Sequence, residues 1–167
     1  VKEAAELFEP GTPAHAAAQR MADRTRDISE VFVEDAAEVA TAGDEATEPP
    51  PLRVMYQPSC HLSNVCGVSE EPLELLQRIT GGNACLPPDG GSCCGSAGIY
   101  NALHPQESRA ILDKKMDGIA DNPPDVIVTS NPGCHLQMTA GVRAFGLEHK
   151  VRVMQLADFV REYGKQV

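Results

Sequence analysis

Two hydrophobic rhythms divide this chain. Over residues 13–33, Ala14, Ala17, Met21, Thr25, Ile28 and Phe32 recur every three or four positions, with Arg, Asp and Glu between them. That spacing predicts one amphipathic helix. Residues 36–51 carry few large apolar groups and end in three prolines, which predicts an acidic, flexible linker. From Leu52 the texture changes. LRVMYQ (52–57) is a short apolar run suited to a buried strand and is stopped by Pro58. Leu73, Leu76 and Ile79 make a helical stripe over 71–79, and residues 80–98 are a Gly-, Pro-, Ser- and Cys-rich loop. Residues 105–119 predict a helix with Ala110, Ile111, Met116 and Ile119 inward. VIVT (126–129) is a second buried strand, turned by Asn131-Pro132-Gly133 into a helix from about Cys134 to Phe145. VRVM (151–154) is a further strand, and residues 157–163 a closing helix.

Strands alternating with helices over such short connections predict an α/β fold. We expect a small, mostly parallel sheet flanked by helices in a Rossmann-like three-layer arrangement, preceded by an N-terminal helix. The expected division is a front segment, 1–51, and an α/β domain, 52–167. Loops that carry function in such sheets gather at the carboxyl ends of the strands. Cys60 follows the first strand, Cys134 follows VIVT, and Cys93-Cys94 lie in the long loop. Residues far apart in sequence are thereby expected on one rim.

Composition narrows the function. The net charge is −10, but residues 1–50 hold 12 acidic and 4 basic side chains against 12 and 10 in residues 51–167. The α/β part is nearly neutral and has no basic stripe to neutralise phosphates, so nucleic-acid binding is not expected. No apolar stretch approaches the ~20 residues of a membrane span, and the N-terminus does not resemble a signal peptide. Membrane attachment is expected only through partners. The sequence opens on Val1, its first Met is Met21, and we read it as an excised piece of a longer chain.

Six cysteines amid strand and helix patterns, without an export signal, point to cytoplasmic thiols bound to metal rather than to a disulfide scaffold. Cys60, Cys93, Cys94 and Cys134 each lie beside Gly, Pro or His: PSCH, GSCCGSAG and NPGCH. Glycine lets the backbone fold tightly around a ligand and aim amides at sulfur. Four thiolates match the ligand count of a [4Fe–4S] cluster or of zinc. Adjacent cysteines on an extended backbone point opposite ways, so the pair needs a special turn or a larger multi-iron centre. A disulfide between Cys93 and Cys94, or simple packing of thiols, is the alternative. Cys85 reads as structural and Cys66 as a surface thiol. His104, before Pro105, reads as a helix cap. No Walker, dinucleotide or Ser/His/Asp signature is present.

Residues 52–167 resemble the cysteine-rich CCG domain found in the iron–sulfur subunit of glycolate oxidase. The same domain occurs in lactate-utilisation proteins, anaerobic glycerol-3-phosphate dehydrogenase and heterodisulfide reductase. PSCHL (58–62), CCGSAGIYN (93–101), HPQESRAILDKKMDGI (104–119) and TSNPGCHLQM (129–138) carry the resemblance. It implies an electron-transfer domain whose Cys60, Cys93, Cys94 and Cys134 hold an iron–sulfur cluster, [4Fe–4S] or otherwise, with zinc as the alternative. Gly95, His61, Asn131 and Gly133 would line the cofactor. It further implies flavin-containing dehydrogenase subunits and a ferredoxin-like region of the same subunit as partners, at the cytoplasmic face of a membrane. The fragment alone would not be a catalyst. A zinc-bound or metal-free docking domain, or a thiol/disulfide redox catalyst, are the other readings. The fuller family motif has a further cysteine where this sequence has Asn131. The four cysteines here are one short of the five that the noncubane centre of the fuller motif uses.

Overall fold

The computed structural model describes residues 2–39 and 51–164. A 3₁₀ turn (Ala4–Leu7) precedes α1 (Pro13–Arg24) and α2 (Ile28–Val39). Then follow β1 (Val54–Gln57), α3 (Cys60–Asn64), α4 (Glu71–Ile79), β2 (Ala84–Cys85), α5 (Tyr100–Leu103) and α6 (Pro105–Ala120). β3 (Val126–Thr129), α7 (Pro132–Ala144), β4 (Arg152–Gln155) and α8 (Leu156–Tyr163) complete the chain.

The expected α/β class is what forms, and the four-stranded sheet is parallel throughout, in the order β2-β1-β3-β4. β1 and β3 are buried at every position, which is why they read as unbroken apolar runs. Side chains alternate between two cores. Val54, Tyr56, Val126 and Val128 face one layer with Leu75, Leu76, Ile79 and Phe159 of α4 and α8. Met55 and Ile127 face the other, with Leu112, Met116 and Ile119 of α6 and Met138 and Val142 of α7. Three layers result, with the sheet in the middle.

Several expectations are corrected. Residues 13–33 are not one helix: α1 stops at Thr25, whose extended backbone (ψ 122°) leaves the helical region. Asp27 then opens α2. Its Oδ1 accepts from Ser29 N (3.0 Å) while Glu30 Oε2 accepts from its own N–H (2.6 Å), a reciprocal cap legible as D-x-x-E. α1 buries Ala18 and Ala22 rather than Met21, which is 57% exposed. Small residues let α1 approach the turn that carries buried Ala5. The helix continues through 36–39, where a linker was expected; residues 40–50 lie outside the described residues. α6 likewise turns Ser108, Leu112 and Lys115 inward and leaves Ile111 40% exposed. Ser108 and Lys115 can face inward because each finds a hydrogen-bond partner, described next.

Candidate metal centre

The chain leaves the centre of the sheet at β1, fills one edge with β2, then crosses back to the other side of β1 with β3. The carboxyl ends of β1 and β3 therefore diverge at a topological switch point, where ligands of open parallel sheets bind. Three cysteine-bearing loops arrive there. After β1, the Ser59 side chain caps α3 by accepting from Leu62 N (3.3 Å), and Cys60 is the first helical residue. After β3, Asn131 caps α7 through Oδ1, which accepts from Gly133 N (2.8 Å) and Cys134 N (3.2 Å). Cys134 thus sits in the first turn of α7 with its amide already held.

The third loop is fastened at several points. Asp89 accepts from Ser92 Oγ (2.6 Å), Gly91 N (3.1 Å) and, through both oxygens, from Lys115 Nζ (2.7 and 3.0 Å). The Lys115 side chain on α6 is 1% exposed, so this is a buried cation with a dedicated carboxylate. Gln57, the last residue of β1, donates from Nε2 to Pro58 O (3.0 Å) and Ser92 O (3.1 Å), joining strand end to loop. Gly95 has φ +88°, and a Cβ there would lie 2.8 Å from Ser108 O. Only glycine makes that turn against α6. Gly95 O accepts from Ser108 Oγ (2.9 Å), which accepts from Gln137 Nε2 (2.9 Å) of α7.

The turn sorts the adjacent cysteines to opposite sides. Cys94 is 1% exposed and pairs with Cys134, 6% exposed, while Cys93 is exposed and pairs with Cys60. A hydrogen bond from the Cys134 thiol, outweighing burial, draws the Cys94 thiol down to about 6, helped by Ser96 N–H and the Lys115 charge. Cys134, the donor, is pushed far up by that bond, by burial and by the charges of Cys94, Cys60 and Cys93. Burial raises Cys93 against the opposing Gly95 N–H, which donates to its Sγ at 3.4 Å. All four expected cysteines feel one another. Cys85 is elsewhere, with its Sγ donating to Val54 O (3.8 Å), and all six cysteines are free thiols.

Among the described residues no three His, Cys, Asp or Glu side chains meet as a ready-made metal site. The four thiols stand as two pairs, Cys60 with Cys93 and Cys94 with Cys134. Three features fit a metal centre. The donors are all thiols, the ligand type of iron–sulfur clusters and structural zinc. A cavity of about 390 Å³ opens between the loops, lined by Cys60, His61, Ser96, Asn131 and Cys134. A Cβ on Gly133 would lie 2.8 Å from Ser96 Oγ, so glycine there keeps two loops in contact.

Of the other expected site residues, exposed His61 lines this cavity, whereas the Asn131 carbonyl and the Gly133 amide are spent on the α7 cap. His135 turns away, its Nε2 3.2 Å from Val153 O. His104 occupies the N-cap position of α6 without a capping bond and stacks on Tyr100 at 4.6 Å. Lys115, Asp89, Gln57 and Thr129 were not expected at the site. Gln57 and Thr129 carried a signal, since each is the polar last residue of an otherwise apolar strand.

A parallel three-layer domain with four thiols at its switch point is a cysteine-rich α/β domain built around one sulfur site. Residues 54–139 match the CCG cysteine-rich domain, and the chain belongs to that family. It is similar to the "Probable glycolate oxidase iron-sulfur subunit" of Bacillus subtilis (strain 168), with 44% identity over 83% of this chain and 30% of that protein. It is also similar to "Lactate utilization protein A" of Bacillus velezensis, with 29% identity over 91% of this chain and 61% of that one. The same protein of Anoxybacillus flavithermus is 27% identical over 94% of this chain and 63% of its own length. The chain spans less than two thirds of each of these relatives.

Proposed function

We propose that this domain holds an iron–sulfur centre on Cys60, Cys93, Cys94 and Cys134 and passes electrons within a multi-subunit, flavin-dependent 2-hydroxy-acid oxidase of the glycolate oxidase type. The observation that carries this is the delivery of four thiols by three separate loops to one switch point, sorted two and two by the Gly95 turn. Two separated pairs suit a multi-iron core, whose irons take sulfurs at different corners, better than one small ion. When bound, the cluster supplies a one-electron relay.

The chain's own groups set its surroundings. Gly95 N–H and Ser96 N–H aim at cysteine sulfur, and hydrogen bonds to sulfur favour the charge the reduced centre carries. Lys115 adds a fixed positive charge from below, and the low exposure of Cys94 and Cys134 keeps water from that side. Exposed Ile99, Leu103 and Leu136 lie on α5, at its approach and on α7 next to the cysteine segments. They supply an apolar surface suited to the partners this reading requires, namely the flavin subunits and a ferredoxin-like region of the same subunit. Among the described residues no helix is long and apolar enough to cross a membrane. On this reading the domain works on the cytoplasmic side and meets the membrane through partners.

Iron, zinc and acid-labile sulfide should be measured on protein purified without oxygen. The reading expects iron and sulfide in equal amounts, with a broad absorption near ~400 nm that Cys94→Ala abolishes. One zinc per chain without sulfide would replace it with a structural docking domain.

A further inference from the structure

Among the described residues, two buried polar side-chain atoms have no partner: Gln57 Oε1 and Thr129 Oγ1. Both residues are 0% exposed, and among the described residues almost all other buried polar side chains are satisfied. Such atoms are rare because a buried polar group without a partner loses its water and gains nothing.

Their positions coincide. Gln57 and Thr129 are register partners at the carboxyl ends of β1 and β3, the two strands that frame the switch point. Alternation along each strand fixes the face. Tyr56 and Val128 belong to the core under α4 and α8, and Met55 and Ile127 to the core that also contains Cys94 and Cys134. Gln57 and Thr129, one step further along, therefore leave the sheet on the cysteine side. Gln57 cannot turn its amide over, because Nε2 serves two carbonyls, Pro58 O and Ser92 O, and an oxygen in its place would face both. Oε1 is thereby fixed as an acceptor in want of a donor. The Thr129 hydroxyl has one proton to give and donates it neither to Gln57 nor to any other protein acceptor.

Thiols offer Thr129 little, whereas metal-bound thiolates and sulfides are acceptors in want of donors. We infer that Thr129 is the floor of the metal site, its hydroxyl donating a hydrogen bond to sulfur of the bound centre, and that Gln57 is a positioning residue that fixes the Ser92-Cys93 loop above it. This rests on the proposed metal-holding role and adds two non-cysteine residues, Thr129 and Gln57, to the site.

Thr129→Val, Thr129→Ser and wild type separate this from a structural role. Valine keeps the shape and deletes the hydroxyl. In metal-free protein it is expected to melt at the same or a higher temperature than wild type, because it removes an unsatisfied buried group. In loaded protein it is expected to surrender metal to a chelator about tenfold faster, and, where the metal is iron, to show a lower midpoint potential. Serine should restore both. A valine variant whose metal-free form melts lower would mean that the hydroxyl already serves the fold, and the inference fails. Wild type and valine variant that release metal at equal rates would also overturn it, leaving the metal-holding role intact. A wild type that retains neither iron nor zinc would remove both together.

Discussion

Lys115 and Asp89 show how one residue pair holds a functional loop. The ammonium is buried and the carboxylate is one third exposed, so the two truncations are unequal. Asp89→Ala strands a buried cation and is expected to cost on the order of 2–3 kcal/mol in denaturant unfolding. Lys115→Met, which leaves a carboxylate that water can reach, is expected to cost less. The pair also sets an acid limit. Burial acts to raise the Asp89 pKa, but hydrogen bonds from Lys115, Ser92 and Gly91 outweigh it and hold it below the usual carboxylate value. The unfolded chain then binds the proton more readily than the folded one. This stability is present above the unfolded value near ~4 and is lost as pH falls through the folded value. Unfolding free energy measured from pH 6 downward should decline below that point, and less steeply in Asp89→Asn. At this scale the sequence was partly legible. The cysteines stood out by their Gly and Pro neighbours, while nothing in the local pattern singles out Lys115. A buried lysine is recognisable only once its acceptor, 26 residues earlier, is folded against it.

At the scale of elements, caps and close contacts decide where the cysteines stand. Asn131→Ala removes the acceptor of the Gly133 and Cys134 amides and is expected to cost about 1 kcal/mol by thermal or chemical unfolding. Asn131→Asp should retain most of it. That task gives asparagine a physical reason to be there, at the place where the fuller motif has cysteine. Gly141 of α7 meets α6 so closely that a Cβ would lie 2.8 Å from Met116 Cγ and Sδ. Gly141→Ala should push the helices apart and cost about 1–3 kcal/mol in the same assay. β1 and β3 were legible because both their faces are buried, whereas the two-residue β2 lay inside what read as a loop, and most helix limits fell within a residue or two. The break at Thr25 was obscured because apolar spacing continues through it, although Asp27 and Glu30 spelled the cap. The faces of α1 and α6 were read only in part. Met116 and Ile119 are buried as expected, but Met21, Ala110 and Ile111 are exposed, and Ala18, Ala22, Ser108, Leu112 and Lys115 take inward positions.

For the whole molecule, the decisive property is that its sulfur site is the joint product of three loops and no single segment. Periodicity reached the parallel sheet, and the family motif reached the cysteines. The polar floor under them depends on which strands are neighbours and in what register, and apolar pattern alone does not encode that.

The pairing of β1 with β3 has a consequence in time. It joins residues 72 apart, as the bond from Arg53 N to Asp125 Oδ2 (2.7 Å) does at its start. Closing so long a stretch of chain is slow and must come before Cys60 and Cys134 can meet. Domains nucleated by their metal fold faster as metal is added. Here the refolding half-time should be the same with and without iron or zinc, with the centre acquired afterwards by a finished scaffold whose rim, at exposed Cys60 and Cys93, is its door.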